Sequence, residues 1–242
     1  MTFNPFNSAA PATDRAAFDE GLRSHMMRVY NYMGIGVALT GLVAWLVAST
    51  PQLTELFFTP THQPTALGFI SIFAPLAFMF FFSFAAMRSS LGLLQAMFWL
   101  FCGVMGLSMS ALFLIFTGES MARTFFVVAA MFLATSIYGY TTRTDLTRMG
   151  GFMVMGLIGI IIAGIVNIFL HSSGLQFAVS VLGVIIFTGL TAWDTQRIKE
   201  TYAEGYGVET NGKLAIFGAL SLYLNFINLF QLMLQFMGTR RD

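Results

Sequence analysis

Charge is what this sequence has least of. Only 10% of its 242 residues are Asp, Glu, Lys or Arg, where a soluble domain carries about 25%. The net charge of +1 leaves no basic surface for nucleic acid, so nucleic acid is not an expected partner. A single cysteine, Cys102, excludes an intrachain disulfide and a thiolate metal cluster. The three histidines, His25, His62 and His171, read as tail or loop residues. An intramembrane serine protease therefore lacks a base opposite its serine, and a membrane metal hydrolase lacks clustered ligands. A retinal protein would want a lysine in the middle of its last span, whereas Lys213 stands at the edge. The expectation is no enzymatic activity and no cofactor. Residues 1–28 are polar and mixed in charge, without the basic start and apolar core of a cleaved signal.

What is abundant is apolar length. Hydrophobic residues make up 57% of the chain, and the mean hydropathy is +0.76. Seven apolar runs are long enough to span a bilayer. The fold class is therefore an all-α polytopic membrane protein, with seven transmembrane helices near 29–50, 66–87, 91–116, 122–142, 150–170, 176–198 and 213–237. A polar tail, 1–28, precedes this domain; it reads as disordered to about Ala16 and then as an approach to the first span. A short tail, 238–242, follows. Pro51, Pro60 and Pro64 break the first loop. Residues 199–212 read as a long late loop, with Gly205, Gly207 and Gly212 at its turns. With the N-terminus in the cytoplasm, nine of the twelve Lys and Arg fall on the inner side, and seven spans put the C-terminus outside. Six or eight spans would put the C-terminus inside, with eleven of the twelve there, so the charge bias fixes the first six spans better than the seventh. At some 24 residues the last run is long enough to cross, and it reads as crossing rather than re-entrant.

The last run carries the most informative pattern. Ser221, Asn225, Asn228, Gln231 and Gln235 recur at spacings of four, three, three and four. At about 100° per residue they share one helical face, which belongs against other helices or a wet path rather than lipid. Asp194 closes the apolar run of span six without a break, 18 steps from Gln176, or roughly 27 Å. It reads either as an ion or proton site or as an interfacial carboxylate paired with Arg197 one turn on. Arg88, at the end of span two, reads as a topology marker or a counter-ion. Small residues at helix-contact spacing, namely Gly36 with Thr40, Gly106 with Ser110, and Gly156, Gly159 and Gly164, suit close helix approach. Asn225 lies 12 residues past Lys213, roughly 18 Å along a helix, so hydropathy alone does not bring it to Asp194.

Four stretches together resemble the Bax inhibitor-1 family, and its bacterial members in particular. They are Thr188-Gly-Leu-Thr-Ala-Trp-Asp-Thr-Gln-Arg-Ile-Lys199, Met27-Arg-Val-Tyr-Asn-Tyr-Met33, Ser136-Ile-Tyr-Gly-Tyr-Thr-Thr142 and Leu220-Ser-Leu-Tyr-Leu-Asn-Phe-Ile-Asn-Leu-Phe230. The resemblance implies six spans around a central seventh and a pH-sensitive Ca²⁺ leak. It also implies a sensor in which one aspartate of span six and one of span seven share a proton, with an arginine of span two latching the closed state. Asp194 matches the first aspartate and is the candidate Ca²⁺ ligand; Arg88 stands for the arginine. The second aspartate is replaced by Asn225, so the expected sensor is incomplete. Some bacterial relatives are linked to regulation of a membrane-bound protease, and animal relatives to suppression of cell death. A non-conducting regulator of a membrane protease or other membrane complex is therefore the alternative function. Lipid is the first expected partner, and the bacterial inner membrane the expected location.

Overall fold

The computed structural model describes residues 12–59, 61, 63–86 and 89–241. The proposed latch Arg88, His62, Pro60 and most of the stretch expected to be disordered lie outside these. Eight helices follow in order: α1 (Ala12–Ser49), α2 (Pro51–Phe57), α3 (Ala66–Ala86), α4 (Leu91–Ile115), α5 (Gly118–Thr141), α6 (Thr147–Leu170), α7 (Ser173–Thr201) and α8 (Gly207–Met237). Six of them (α1, α4, α5, α6, α7 and α8) are long and apolar enough to cross a membrane. The apolar stretch Ala66–Phe82 of α3 is shorter, and Pro75 inside it removes one backbone hydrogen bond. His25 is not in a loop: it lies in α1, buried, with its ring 5.2 Å from that of Tyr202.

The turn chemistry follows from the sequence. Ser90, Thr117 and Ser172 each accept a hydrogen bond from the backbone N–H three residues on, capping α4, α5 and α7. Pro51 ends α1 and occupies the first turn of α2, where its missing N–H costs nothing. The late loop is shorter than expected. α7 continues to Thr201, a single 3-10 turn covers Glu204–Tyr206, and α8 starts at Gly207, whose φ of 71° a side chain would disfavour. Gly212 is thus inside α8, against the side chain of Leu91, and marks no turn. The polar start of α8 is held by its own Glu209–Lys213 ion pair at 2.9 Å, four residues apart.

α8 is the most buried of the long helices; 61% of its apolar window is buried, against 39% or less elsewhere. It packs on α7, α1, α5 and α4, and touches α3 through the Phe82–Phe217 ring pair. α6 packs on α7. The core of α1, α4 and α8 surrounds Tyr223, wedged between Phe98 and Phe101. Thr40 donates to the carbonyl of Cys102 at 2.9 Å, so the Tyr223 hydroxyl donates to Thr40 at 2.6 Å. α1 and α4 approach closely where Gly36 and Gly106 lie: a Cβ on Gly106 would come 2.8 Å from the carbonyl oxygen of Thr40. The expected glycine contacts on α6 differ, because only Gly156 faces a neighbour, Ile186, while Gly159 and Gly164 face open space.

α8 runs the length of the bundle. Its start adjoins the first half of α1, where Gly207, Val208 and Asn211 line one pocket with Gly21, Ser24 and His25. Its end adjoins the α4–α5 turn, where Thr117 N–H bonds to Thr239 and Arg241 N–H bonds to Ile115.

Candidate functional site

α7 and α8 are antiparallel and keep one register throughout. Gly218 faces Ile198, Leu232 packs on Gly183, and Gln235 reaches Ser180. This register places Asn225 beside Asp194. It depends on α8 beginning at Gly207, six residues before the apolar run suggests, which is why hydropathy alone misses the contact.

Asp194 is 4% exposed. Its Oδ2 accepts from Asn225 Nδ2 at 2.8 Å and from Ser221 Oγ at 2.7 Å. Its Oδ1 lies 2.8 Å from Arg197 Nη2, an ion pair set off the line of a hydrogen bond. Of the two sequence readings of Asp194, the pairing with Arg197 one turn on is present, and the carboxylate also meets the polar stripe through Ser221 and Asn225. The Arg197 side chain is 47% exposed, and its guanidinium lies 4.7 Å above the ring of Trp193. One carboxylate oxygen is thus saturated by neutral donors, and the other holds the local positive charge.

All five stripe residues, Ser221, Asn225, Asn228, Gln231 and Gln235, line one groove of about 490 Å³. Asp194 and Arg197 stand at one end of it. Asn228 Nδ2 bonds to the carbonyl of Leu224 on its own helix, leaving its carbonyl oxygen for an occupant. Calcium takes six to eight oxygens, several of them charged. One carboxylate and a few amide oxygens can hold it only weakly, a property that suits passage rather than storage. Among the described residues, no three His, Cys, Asp or Glu side chains come together as a metal site.

The residues after Asp194 carry roles the sequence reading did not assign. At about 100° per step, Asp194, Thr195 and Gln196 face three different neighbours. Thr195 reaches Ser136 on α5 at 3.5 Å. Gln196 clamps the α5–α6 turn, accepting from Leu146 N–H at 2.8 Å and donating to the Thr144 carbonyl at 2.9 Å. The signal available was three consecutive polar residues in a helix without a breaker, which must point in different directions. Beside this clamp, Gly139 faces the Ala192 backbone so closely that any side chain would push α5 off α7. Gln196→Leu should leave the buried Leu146 N–H unpaired, at about 1–3 kcal/mol, and lower the thermal midpoint of the detergent-purified protein by several degrees. An unchanged midpoint would show that the clamp is dispensable.

The description "Inhibitor of apoptosis-promoting Bax1" belongs to a family model that matches residues 22–242. An uncharacterised protein of Rickettsia prowazekii is 48% identical over 93% of both chains. One from Caulobacter vibrioides is 43% identical over 99% of both. Inner membrane protein YbhL of Escherichia coli is 42% identical over 91% of this chain and 94% of its own. The match covers α1 from Leu22 onward, every later helix and both sides of the Asp194 contact, and the chain belongs to the Bax inhibitor-1 family.

Proposed function

We propose that this protein is a slow cation leak, with calcium as the principal ion and Asp194 as the charged group on the path. The observation that carries the reading is a buried carboxylate opening on a groove whose wall is lined with amides along α8. An intramembrane carboxylate is costly and tends to mark a pathway. A leak of this kind is also what the family resemblance implies. In this reading the chain crosses seven times, with α3 as the second span. The N-terminus and the α7–α8 turn face the cytoplasm, and the C-terminus lies outside. The name of the Escherichia coli relative and the bias of nine basic residues in twelve support the inner membrane in that orientation.

Asn225 is neutral at every pH, so the proposed sensor has one carboxylate where a coupled pair would need two. The expected behaviour is calcium flux with shallow pH dependence. Purified protein reconstituted into vesicles that enclose a calcium indicator should take up calcium faster than protein-free vesicles. Rates no faster than those of protein-free vesicles at every pH from 6 to 8, about the range of shifted carboxylates, would sink the leak reading.

A further inference from the structure

The groove has a second property that an ion path does not require: it is open to the side. α6 and α8 both pack on α7, and α6, α7 and α8 supply all of its lining. Among the described residues no other element lines the remaining side. The α6 wall is apolar, with Val154, Leu157, Ile160 and Ile161, while the α8 wall carries the amides. No residue of the apolar window of α6 is buried, so that helix faces lipid.

The amide wall is also long. From Ser221 to Gln235 it runs 14 helical steps, roughly 21 Å, against a hydrocarbon thickness of about 30 Å. α8 ends at Met237. Counting about 20 residues back places the opposite edge of the hydrocarbon near Phe217. The stripe then starts roughly 6 Å inside one edge and stops roughly 3 Å short of the other. A row of amides facing lipid is unfavourable unless something polar fills it. Gln231, half-buried in this wall, makes no hydrogen bond to any of the described residues.

The occupant must be polar inside the groove and compatible with lipid at its open side. A phospholipid satisfies both conditions: its headgroup and attendant water lie against the amides while its acyl chains remain in the bilayer. The groove has room for several waters around such a group. At one mouth, the half-exposed Arg197 guanidinium has donors beyond the one used on Asp194 and suits a phosphate oxygen. We propose that this groove carries phospholipid headgroups between the leaflets, so that the protein scrambles phospholipid. The proposal shares the groove with the leak reading and does not require calcium to pass.

The test uses full-length protein in vesicles of phosphatidylcholine and phosphatidylglycerol. A trace of phosphatidylcholine carries a dithionite-reducible fluorophore on its acyl chain, and is present in both leaflets. Dithionite should bleach only the outer leaflet of protein-free vesicles, and both leaflets when the protein is present. A water-soluble reducible dye trapped in matched vesicles should stay fluorescent, showing that dithionite has not entered. Gln231→Leu and Asn228→Leu should each slow inner-leaflet bleaching roughly tenfold, about the effect of one lost hydrogen bond to a charged group. Gln231→Asn should retain most of the rate, separating the polar wall from a folding defect. A protected inner leaflet with the native protein overturns the proposal, as does bleaching that Gln231→Leu leaves unchanged. So does a stable dimer closed over this face that leaves the inner leaflet protected. Calcium flux without scrambling overturns this proposal and leaves the leak; scrambling without calcium flux does the reverse.

Discussion

In the proposed leak, Asn225→Asp should convert a shallow pH profile into a steep one, changing calcium flux by about tenfold per pH unit over the titrating limb. The geometry explains the size of the effect. In the native protein Asn225 Nδ2 donates to Asp194 Oδ2 at 2.8 Å. An aspartate there presents an oxygen instead of that donor. Two carboxylates at hydrogen-bond distance hold one proton between them, because both cannot ionise side by side at tolerable cost. The remaining donors, Ser221 and Arg197, are unchanged. Among the described residues, Arg197 is the one basic side chain paired with Asp194, and it offsets one negative charge but not two. Calcium flux recorded across about pH 6–8 checks this. Superimposable profiles for the native and variant proteins would show that residues 194 and 225 do not form the sensor.

How far the site was legible depends on which signal carried each part. Apolar length located all seven runs, and their ends fell within a few residues of the helices except where polar residues prolong a helix beyond the hydrocarbon. α1 begins far upstream of residue 29, and α8 begins at Gly207 rather than Lys213. In α8 the extension rests on a local ion pair, Glu209–Lys213, which a hydropathy average counts against a span. That one displacement hid the pairing of Asp194 with Asn225 from hydropathy, and only the family resemblance implied it. Periodicity was more informative than hydropathy: it placed Ser221, Asn225, Asn228, Gln231 and Gln235 on one face, and all five line one groove. It could not identify the facing wall, since α6 reaches the groove through tertiary packing alone. The partners of Thr195 and Gln196 were hidden for the same reason, as each bond joins residues 50 or more positions apart.

The Asp194–Arg197 pair provides the second large expectation, which only the two residues taken together define. Arg197 is the internal cation on the one Asp194 oxygen that neutral donors leave free. In the proposed leak, a calcium ion passing this point displaces it. Arg197→Gln should therefore raise calcium flux several-fold and make it saturate at lower calcium. Some stability should be lost, because a buried carboxylate is left without its counter-charge; the half-exposed position of Arg197 keeps that loss below that of a fully buried pair. Arg197→Lys retains the charge but gives up the planar stacking on Trp193, and should fall between the two. Asp194→Asn should act in the opposite direction. It removes the negative charge, leaves the arginine unmatched at the mouth of the groove, and brings calcium flux down to that of protein-free vesicles. The double variant is decisive. If Arg197 acts by occupying Asp194, removing it helps only when the carboxylate is present, so Asp194→Asn with Arg197→Gln should be as inactive as Asp194→Asn alone. Additive effects would mean that the two residues act separately. Flux in the double variant above that of Asp194→Asn would mean that Arg197 repels cations through its charge alone, without occupying the carboxylate.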